Sequence, residues 1–268
     1  MPVGQKIQIL QLRPDLFPEV LLRIAVIIAF IITDDAVPFK RIIHQEEAWL
    51  YTHPHKKDIV PAYTLHFINL VISLFLVWAI YKYKRNIMDA ISALLGVTLS
   101  IFLALTITNF IKLSVGRPRP DFFARCFKNP PKDAYNLSLA VCDMPEDMIN
   151  QGYKSFPSGH SAMAFGCMAY LSFYIAWSLR VFQPKVLYPS LRLLAFLAPL
   201  VCATLIAISR TVDYHHHWQD ILVGSLIGTT ISYLCFRQSF PGLLEKKLLR
   251  CHPSSPQPEP SFIGAENY

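Results

Sequence analysis

The sequence predicts an all-α integral membrane protein with six transmembrane helices. Of its 268 residues, 53% are hydrophobic and only 16% are charged, whereas soluble domains average about 25% charged residues. The hydrophobic residues cluster into six blocks of nearly the length, about 20 residues, that an α-helix needs to cross a bilayer. These blocks lie at residues 17–32, 63–81, 90–111, 161–179, 191–208 and 221–236.

The six blocks differ in how clearly they predict a spanning helix. The first is the weakest because Glu19 and Arg23 interrupt its start, whereas the next three contain no charged residue. Pro199 lies in the fifth block, and proline is tolerated in membrane helices. Gly224 and Gly228 in the sixth block have the spacing of a close helix contact, either within one protomer or across a homodimer, and we favour the first.

The connections between the blocks predict the orientation in the membrane. An even number of spans places the N-terminal segment 1–16 and the tail 239–268 on the same side of the six-helix domain 17–238. Short connections on that side carry basic residues such as Lys82 and Arg180 and no acidic residue, which favours the cytosol. A count of Lys and Arg over all loops is nearly tied. The tail, which carries Pro and Ser, is predicted to be disordered.

The loops at 34–60, 112–160 and 209–220 are therefore predicted to be lumenal or extracellular. Asn136 begins the sequon Asn-Leu-Ser in the second of these loops and is a candidate glycosylation site. Cys126 and Cys142 share that loop and are a candidate disulfide in an oxidising compartment. The net charge of +7 fits an anionic membrane surface or substrate. Because the basic residues are dispersed between apolar blocks, no nucleic-acid partner is predicted.

Three groups of polar residues lie at helix ends on this predicted outer face. The first follows the third block, the second opens the fourth, and the third opens the sixth. Because all three lie on one side of the membrane, a compact bundle would bring them together. The groups are Lys112 to Pro120, Ser155 to His160 and Ser209 to Asp220.

The basic residues of these groups predict a phosphate site. Lys112, Arg119 and Arg210 would repel one another unless an anion lay between them, and charge at this depth is costly and usually functional. Arginine presents a planar fork that suits phosphate oxygens, and lysine acts as a point charge. Ser158 and Gly159 would add a hydroxyl and backbone N–H groups at a helix N-terminus, where phosphate binds readily.

Two histidines predict the chemistry of this site. His216 and Asp220 are four residues apart and so share one face of a helix. The carboxylate would hold one ring N–H, which leaves the other ring nitrogen to attack phosphorus and form a phosphohistidine. His160 is the candidate general acid for the leaving alkoxide and then the base that activates water. The three cations would stabilise the transferring phosphoryl group in place of magnesium.

Neighbouring residues have simpler interpretations. Basic side chains at a membrane boundary often extend to lipid headgroups, and we assign Arg117 and Lys154 to that role. The run of three histidines around His216 is also typical of metal ligands, but the nearby cations disfavour a divalent cation, so no metal site is predicted. His215 and His217 are predicted to lie at the membrane interface without a catalytic role, and we assign no role to His53 and His55.

In these residues the sequence closely resembles the type 2 phosphatidic acid phosphatase (lipid phosphate phosphatase) superfamily. Its pattern is Lys, six residues and Arg-Pro, then Pro-Ser-Gly-His, then Ser-Arg, five residues, His, three residues and Asp. The resemblance covers roughly residues 17 to 238, and residues 116–126 and 46–51 are similar to the branch that contains phospholipid phosphatases 4 and 5. Every position of the pattern is matched, at Lys112, Arg119-Pro120, Pro157 to His160, Ser209-Arg210, His216 and Asp220.

The resemblance implies magnesium-independent hydrolysis of phosphatidic acid, diacylglycerol pyrophosphate or lysophosphatidic acid, with no cofactor, on a helical core shared with vanadium haloperoxidases. It implies His216 as the nucleophile and His160 as the acid and base. Lys112, Arg119 and Arg210 are then the phosphate ligands. A multi-pass protein of the endoplasmic reticulum, Golgi or plasma membrane is expected, with its active site on the lumenal or extracellular face.

Three other functions are weighed against a lipid phosphatase. A sugar-phosphate phosphatase or phosphotransferase would use the same phosphate site. A catalytically silent receptor or scaffold for lipid phosphates would be expected to lose some of the pattern, and this chain retains all of it. A transporter would be expected to show repeated halves and discontinuous helices, and the sequence indicates neither.

Overall fold

Long α-helices form at all six apolar blocks, and each extends its block by a few residues at one or both ends. The computed structural model describes residues 16–129, 141–240 and 243, and no β-strand occurs among them. A short 3-10 helix spans Gln45–Tyr51. The α-helices are α1 (Leu16–Asp35), α2 (Ala62–Lys84), α3 (Ile87–Val115), α4 (Phe122–Cys126), α5 (Glu146–Gly152), α6 (Gly159–Leu179), α7 (Pro189–Val212) and α8 (Trp218–Ser239).

The predicted multi-pass membrane fold is confirmed. Within the described ranges, α2, α3, α6, α7 and α8 are long and apolar enough to cross a membrane. The remaining long helix, α1, has 20 residues but carries charge at both ends, including Glu19 and Asp35. Its apolar side chains, such as Ile28 and Ile32, are exposed, as expected for a surface that faces lipid. The sixth span, at α1, stays a prediction.

Helix α6 is the centre of the bundle because α2, α3, α7 and α8 all pack against it. Small residues permit these close approaches. Ser100 on α3 donates a hydrogen bond from its Oγ to the carbonyl oxygen of Gly166 on α6, at 2.7 Å. Two helices can approach this closely only where neither carries a bulky side chain at the contact.

Gly224 and Gly228 form the contact between α8 and α6. A Cβ atom at Gly224 would lie 2.4 Å from the carbonyl oxygen of Ser158, and one at Gly228 would lie 2.5 Å from that of Ala162. Both distances are far below van der Waals contact. The two glycines therefore pack within one protomer, as favoured from the sequence, and this face is not open to a homodimer contact.

The packing brings the ends of α3, α6, α7 and α8 together on one side of the bundle. The backbone N–H of Ser158, at the start of α6, donates to the carbonyl oxygen of Asp220, at the start of α8, at 2.9 Å. The N–H of Ser155 donates to the carbonyl oxygen of Arg117 at 3.1 Å. These bonds join the three polar groups that the sequence places on the outer face.

Above this side, the loop that contains α4 and α5 forms a second, smaller apolar cluster. Phe122 and Phe123 of α4 pack with Tyr51 of the 3-10 helix. Cys126 and Cys142 are joined by a disulfide in the structure. Asn136, the segment 1–15 and nearly all of the predicted tail lie outside the described residues.

Candidate active site

The end of α3 positions the first polar group. Lys112 lies in the last turn, and the helix ends at Gly116 with a φ of 55°. A Cβ at Gly116 would lie 1.7 Å from the carbonyl oxygen of Phe39, and only glycine takes this left-handed conformation without strain. The chain can therefore turn sharply at Gly116, where its backbone lies against Phe39 of the predicted outer loop 34–60. Arg117 and Arg119 follow directly and lie beside the starts of α6 and α8.

The start of α6 positions the second group. Ser158 caps the helix, because its Oγ accepts hydrogen bonds from the Ser161 backbone N–H at 3.3 Å and from the Ser161 hydroxyl at 3.0 Å. A Cβ at Gly159 would lie 2.8 Å from Lys112 Nζ. The predicted phosphate ligands Lys112, Ser158 and Gly159 therefore lie together at a helix N-terminus, which itself attracts anions.

Arg210, near the end of α7, is only 2% exposed. Its guanidinium donates to the carboxylates of Asp58 at 2.9 Å and Asp213 at 3.2 Å. It also lies 2.6 Å from His215 Nδ1. Its Nε is buried without a hydrogen-bond partner among the described residues. Two carboxylates thus hold part of the guanidinium that we predict to bind phosphate.

Residues 55–60, called here the segment before α2, contribute to the site. This contribution was not predicted from the sequence. Asp58 pairs with Arg210, and the carbonyl oxygen of Val60 lies 3.2 Å from His160 Nε2 and accepts a hydrogen bond from Arg210 at 3.3 Å. His55 Nδ1 lies 2.6 Å from Asp121 Oδ2. No recognisable spacing links this segment to the three polar groups, so only the packing shows that it crosses the site.

His216 is 3% exposed at the start of α8. Burial holds its pKa well below the usual value of 6.5; the charges of Arg119 and Lys112 lower the pKa further, and the Asp220 carboxylate opposes them. The imidazole is therefore neutral at pH 7, which is the state a nucleophile needs. His216 Nδ1 and Asp220 Oδ2 lie 3.8 Å apart, which is longer than a hydrogen bond.

Asp220 is fully buried and is held by residues to which we gave no such role. Arg117 pairs with Asp220 Oδ1 at 2.6 Å. Asp220 Oδ2 accepts hydrogen bonds from the Ser155 hydroxyl at 2.6 Å and from the His217 backbone N–H at 3.0 Å. The assignment of Arg117 to lipid headgroups is wrong, because its guanidinium turns inward to compensate a buried carboxylate that water cannot reach.

Two further expectations from the sequence need correction. Lys154 is 6% exposed and donates to the carbonyl oxygen of Asp34 at 2.6 Å, so it does not extend to headgroups. His215 is not a residue of the interface, because its Nδ1 lies 2.9 Å from Asp58 Oδ1. Burial and the charges of Arg119 and Arg210 lower the pKa of His215 to about 4.

Two clusters in the described part of the chain each bring three histidine or aspartate side chains close enough to hold a cation, and both include His215. One contains His55 and Asp121, and the other contains Asp58 and Asp213. In each cluster an arginine already pairs with a carboxylate: Arg125 with Asp121 at 2.9 Å, and Arg210 with Asp58 at 2.9 Å. A positive charge in that position disfavours a divalent cation.

The predicted site residues are therefore brought to one face of the bundle. His216 and Asp220 lie at the start of α8, Lys112 lies against the start of α6, and Arg119 acts electrostatically on His216. The Nε of Arg119 is buried and has no hydrogen-bond partner among the described residues. Unpaired buried donors are costly, and an anionic ligand would satisfy them.

Comparison with known proteins decides the family. A family model described as the PAP2 superfamily matches residues 93–242, which is more than half of the chain. This chain belongs to the PAP2 superfamily. The resemblance inferred from the three polar groups is confirmed.

Several relatives match across most of the chain. Lipid phosphate phosphatase 2 of Arabidopsis thaliana is 33% identical over 222 residues, covering 82% of this chain and 76% of the relative. A probable diacylglycerol pyrophosphate phosphatase 1 of Schizosaccharomyces pombe is 32% identical over 226 residues, covering 82% and 80%. Lipid phosphate phosphatase 1 of Arabidopsis thaliana is 33% identical over 205 residues, and the alignment spans 76% of this chain but 62% of that relative. No solved structure matches.

The PAP2 match begins within α3 and ends after α8, so it contains all three polar groups. It does not contain α1, the 3-10 helix or the segment before α2. Asp58 and Val60, which contact Arg210 and His160, therefore lie outside the part of the chain that the PAP2 model describes.

Proposed function

We propose that this PAP2 protein is a lipid phosphate phosphatase that hydrolyses phosphatidic acid, diacylglycerol pyrophosphate or lysophosphatidic acid without a metal. The products are diacylglycerol, or the corresponding dephosphorylated lipid, and phosphate. The observation that carries this proposal is a buried His216 beside Asp220, with the cations Lys112 and Arg119 acting on its imidazole. The names of the relatives, lipid phosphate phosphatase and diacylglycerol pyrophosphate phosphatase, support the substrate class.

The phosphate group would bind between the start of α6 and the arginines. Lys112 Nζ lies against Gly159, so the phosphate would meet an ammonium group and the free N–H groups of a helix N-terminus together. Arg119 offers a buried Nε without a partner, and so does Arg210. These donors would stabilise charge on the equatorial oxygens in the transition state, the role that metal ions take in many phosphoryl-transfer enzymes.

His216 would act as the nucleophile in two balanced steps. Its Nδ1 faces Asp220, so Nε2 is the nitrogen that attacks phosphorus. The N–P bond forms as the P–O bond to the lipid breaks, and the protonated form of His160 donates its proton to the leaving alkoxide and becomes neutral. Water then attacks the phosphohistidine, His160 accepts its proton, and the N–P bond breaks to release phosphate.

A lipid substrate fits the position of the site. The polar groups lie at the ends of spanning helices, and the outer ends of these helices expose apolar side chains such as Tyr63, Val212 and Trp218. Acyl chains could remain among such side chains while the phosphate reaches the buried cations. A sugar-phosphate phosphatase is the alternative within the same chemistry. A catalytically silent receptor would not need a neutral, buried imidazole.

We also propose that the active site faces the lumen or the cell exterior and that both ends of the chain are cytosolic. In sealed microsomes, a cysteine introduced as Ser138→Cys should react with a membrane-impermeant thiol reagent only after permeabilisation. Cys251 in the tail should react at once, and Cys251→Ser provides the matched control. The opposite labelling pattern would contradict this orientation.

The first test of function is phosphate release from phosphatidic acid in detergent micelles with EDTA present. The purified protein is expected to be equally active with EDTA and with added magnesium, because protein cations take the place of a metal. Activity that returns only with magnesium would contradict the metal-free mechanism and direct attention to the clusters around His215. No release from any of the three lipid phosphates would contradict a lipid phosphatase, and sugar phosphates would then be tested.

A further inference from the structure

Both carboxylate oxygens of Asp220 are held by side chains from outside its own helix. Its side chain is completely buried. The Arg117 guanidinium donates to Asp220 Oδ1 at 2.6 Å, and the Ser155 hydroxyl donates to Asp220 Oδ2 at 2.6 Å. The His217 backbone N–H adds a third bond at 3.0 Å. A carboxylate with charge-assisted bonds on both oxygens cannot rotate without breaking one of them.

The two side chains that hold Asp220 come from two different polar groups. Arg117 follows α3 and Ser155 precedes α6, and the N–H of Ser155 donates to the carbonyl oxygen of Arg117 at 3.1 Å. This hydrogen bond joins the two segments, and both side chains contact Asp220 at the start of α8. Neither residue belongs to the pattern that identifies the family from the sequence, and neither has a role in the proposed reaction.

We propose that Arg117 and Ser155 are positioning residues that fix the Asp220 carboxylate as an anion beside His216 Nδ1. This inference rests on the proposed function, in which His216 is the nucleophile. Arg117 and Ser155 act through Asp220 and not on the substrate. With Asp220 fixed, its negative charge stays 3.8 Å from His216 Nδ1, which favours a proton on Nδ1 and leaves Nε2 free to attack the phosphate.

The charges around His216 predict the direction in which its pKa would change if Arg117 were removed. The groups that act on the imidazole are Asp220, Arg119 and Lys112, and His217 Nδ1 lies 3.4 Å from Asp220 Oδ2. Arg117 lies on the far oxygen of Asp220 and offsets part of its negative charge. Without Arg117, the carboxylate would favour the protonated imidazole more strongly, so the pKa of His216 would rise.

The pH dependence of kcat/KM reports this change. In the wild type the neutral imidazole persists well below pH 6.5, because the pKa of His216 is held below that value, and activity falls only as the pH drops through the lowered pKa. In Arg117→Gln the acid limb should move to higher pH. In Ser155→Ala, which removes a neutral donor from the same carboxylate, the limb should move in the same direction by a smaller amount.

The kinetic constants separate positioning from phosphate binding. Arg117→Gln is expected to lower kcat about 100-fold, the usual cost of displacing a reacting group by about 1 Å. KM should change little, because Lys112, Arg119 and Arg210 still bind the phosphate. Arg117→Lys should recover part of kcat, because an ammonium group can replace the single contact to Asp220 Oδ1.

The experiment measures kcat, KM and the pH profile on phosphatidic acid in micelles for Arg117→Gln, Arg117→Lys and Ser155→Ala. Arg41→Gln is the matched control, since Arg41 is an arginine whose ion pair is with Glu47, at 3.2 Å. A raised KM with unchanged kcat in Arg117→Gln would make Arg117 a phosphate ligand and overturn the inference. An unmoved acid limb in Ser155→Ala and in Arg117→Gln would also overturn it. Inactivity of the wild type, or full activity of His216→Ala, would instead contradict the proposed function itself.

Discussion

His216→Ala is expected to lower phosphate release from phosphatidic acid by about 10⁴-fold or more, the loss typical when a covalent nucleophile is removed. The reason is that the buried cations can still bind the phosphate, but the imidazole that we propose as the nucleophile is lost. KM is therefore expected to change much less than kcat. Phosphate release is measured in detergent micelles at saturating substrate.

Two further measurements identify the role of His216. Radiolabelled phosphatidic acid carrying ³²P should label the wild-type protein with an acid-labile phosphate, and His216→Ala should take up none. His160→Ala should accumulate the label, because it slows water attack on the phosphohistidine.

The control is His66→Ala, which removes an exposed histidine on α2. Because His216 is buried, its truncation also leaves a small cavity, so thermal unfolding is compared for both variants. His216→Ala with more than a tenth of wild-type activity would contradict the nucleophile assignment.

Gly224→Ala is expected to reduce activity about 100-fold, because the added methyl would lie 2.4 Å from the carbonyl oxygen of Ser158. That carbonyl belongs to the residue whose N–H bonds to Asp220. The methyl must therefore push the starts of α6 and α8 apart, and a shift of about 1 Å between reacting groups costs about 100-fold in rate. Overpacking of this kind typically costs about 1–3 kcal/mol of stability as well.

Gly228→Ala distinguishes the loss of activity from the loss of stability. It lies one turn further from the site, and its added methyl would lie 2.5 Å from the carbonyl oxygen of Ala162. A similar fall in the thermal unfolding midpoint is expected, with a smaller loss of kcat. Thr230→Ile enlarges an exposed residue of the same helix and should change neither quantity. Wild-type activity in Gly224→Ala would show that the glycine contact does not position the site.

The segment before α2 shows why part of the site escapes sequence analysis. Asp58 and Val60 contact Arg210 and His160, yet they are separated from them by at least one hundred residues and by no regular spacing. A motif records residues that share one short stretch of chain. A contact between a loop and a distant helix end has no fixed sequence spacing, so no motif identifies it.

The apolar blocks and the three polar groups were sufficient to predict the multi-pass helical fold and the PAP2 family. The helices follow from apolar blocks, because the backbone can satisfy its hydrogen bonds in lipid only by forming helices. The predicted phosphate ligands and the two histidines were identified from residue type and spacing at helix ends. Cys126 and Cys142, a candidate disulfide from their shared loop, are joined in the structure.

The tertiary structure alone decided how these residues are paired. It turned Arg117 inward to Asp220, joined Arg210 to Asp58 and Asp213, and placed the glycines of α8 against α6 within one protomer. Charge pairing in a buried site depends on which side chains the packing excludes from water, because an unpaired charge there is far more costly than one at the surface. The sequence shows which charges exist, and the packing of α3, α6 and α8 selects their partners.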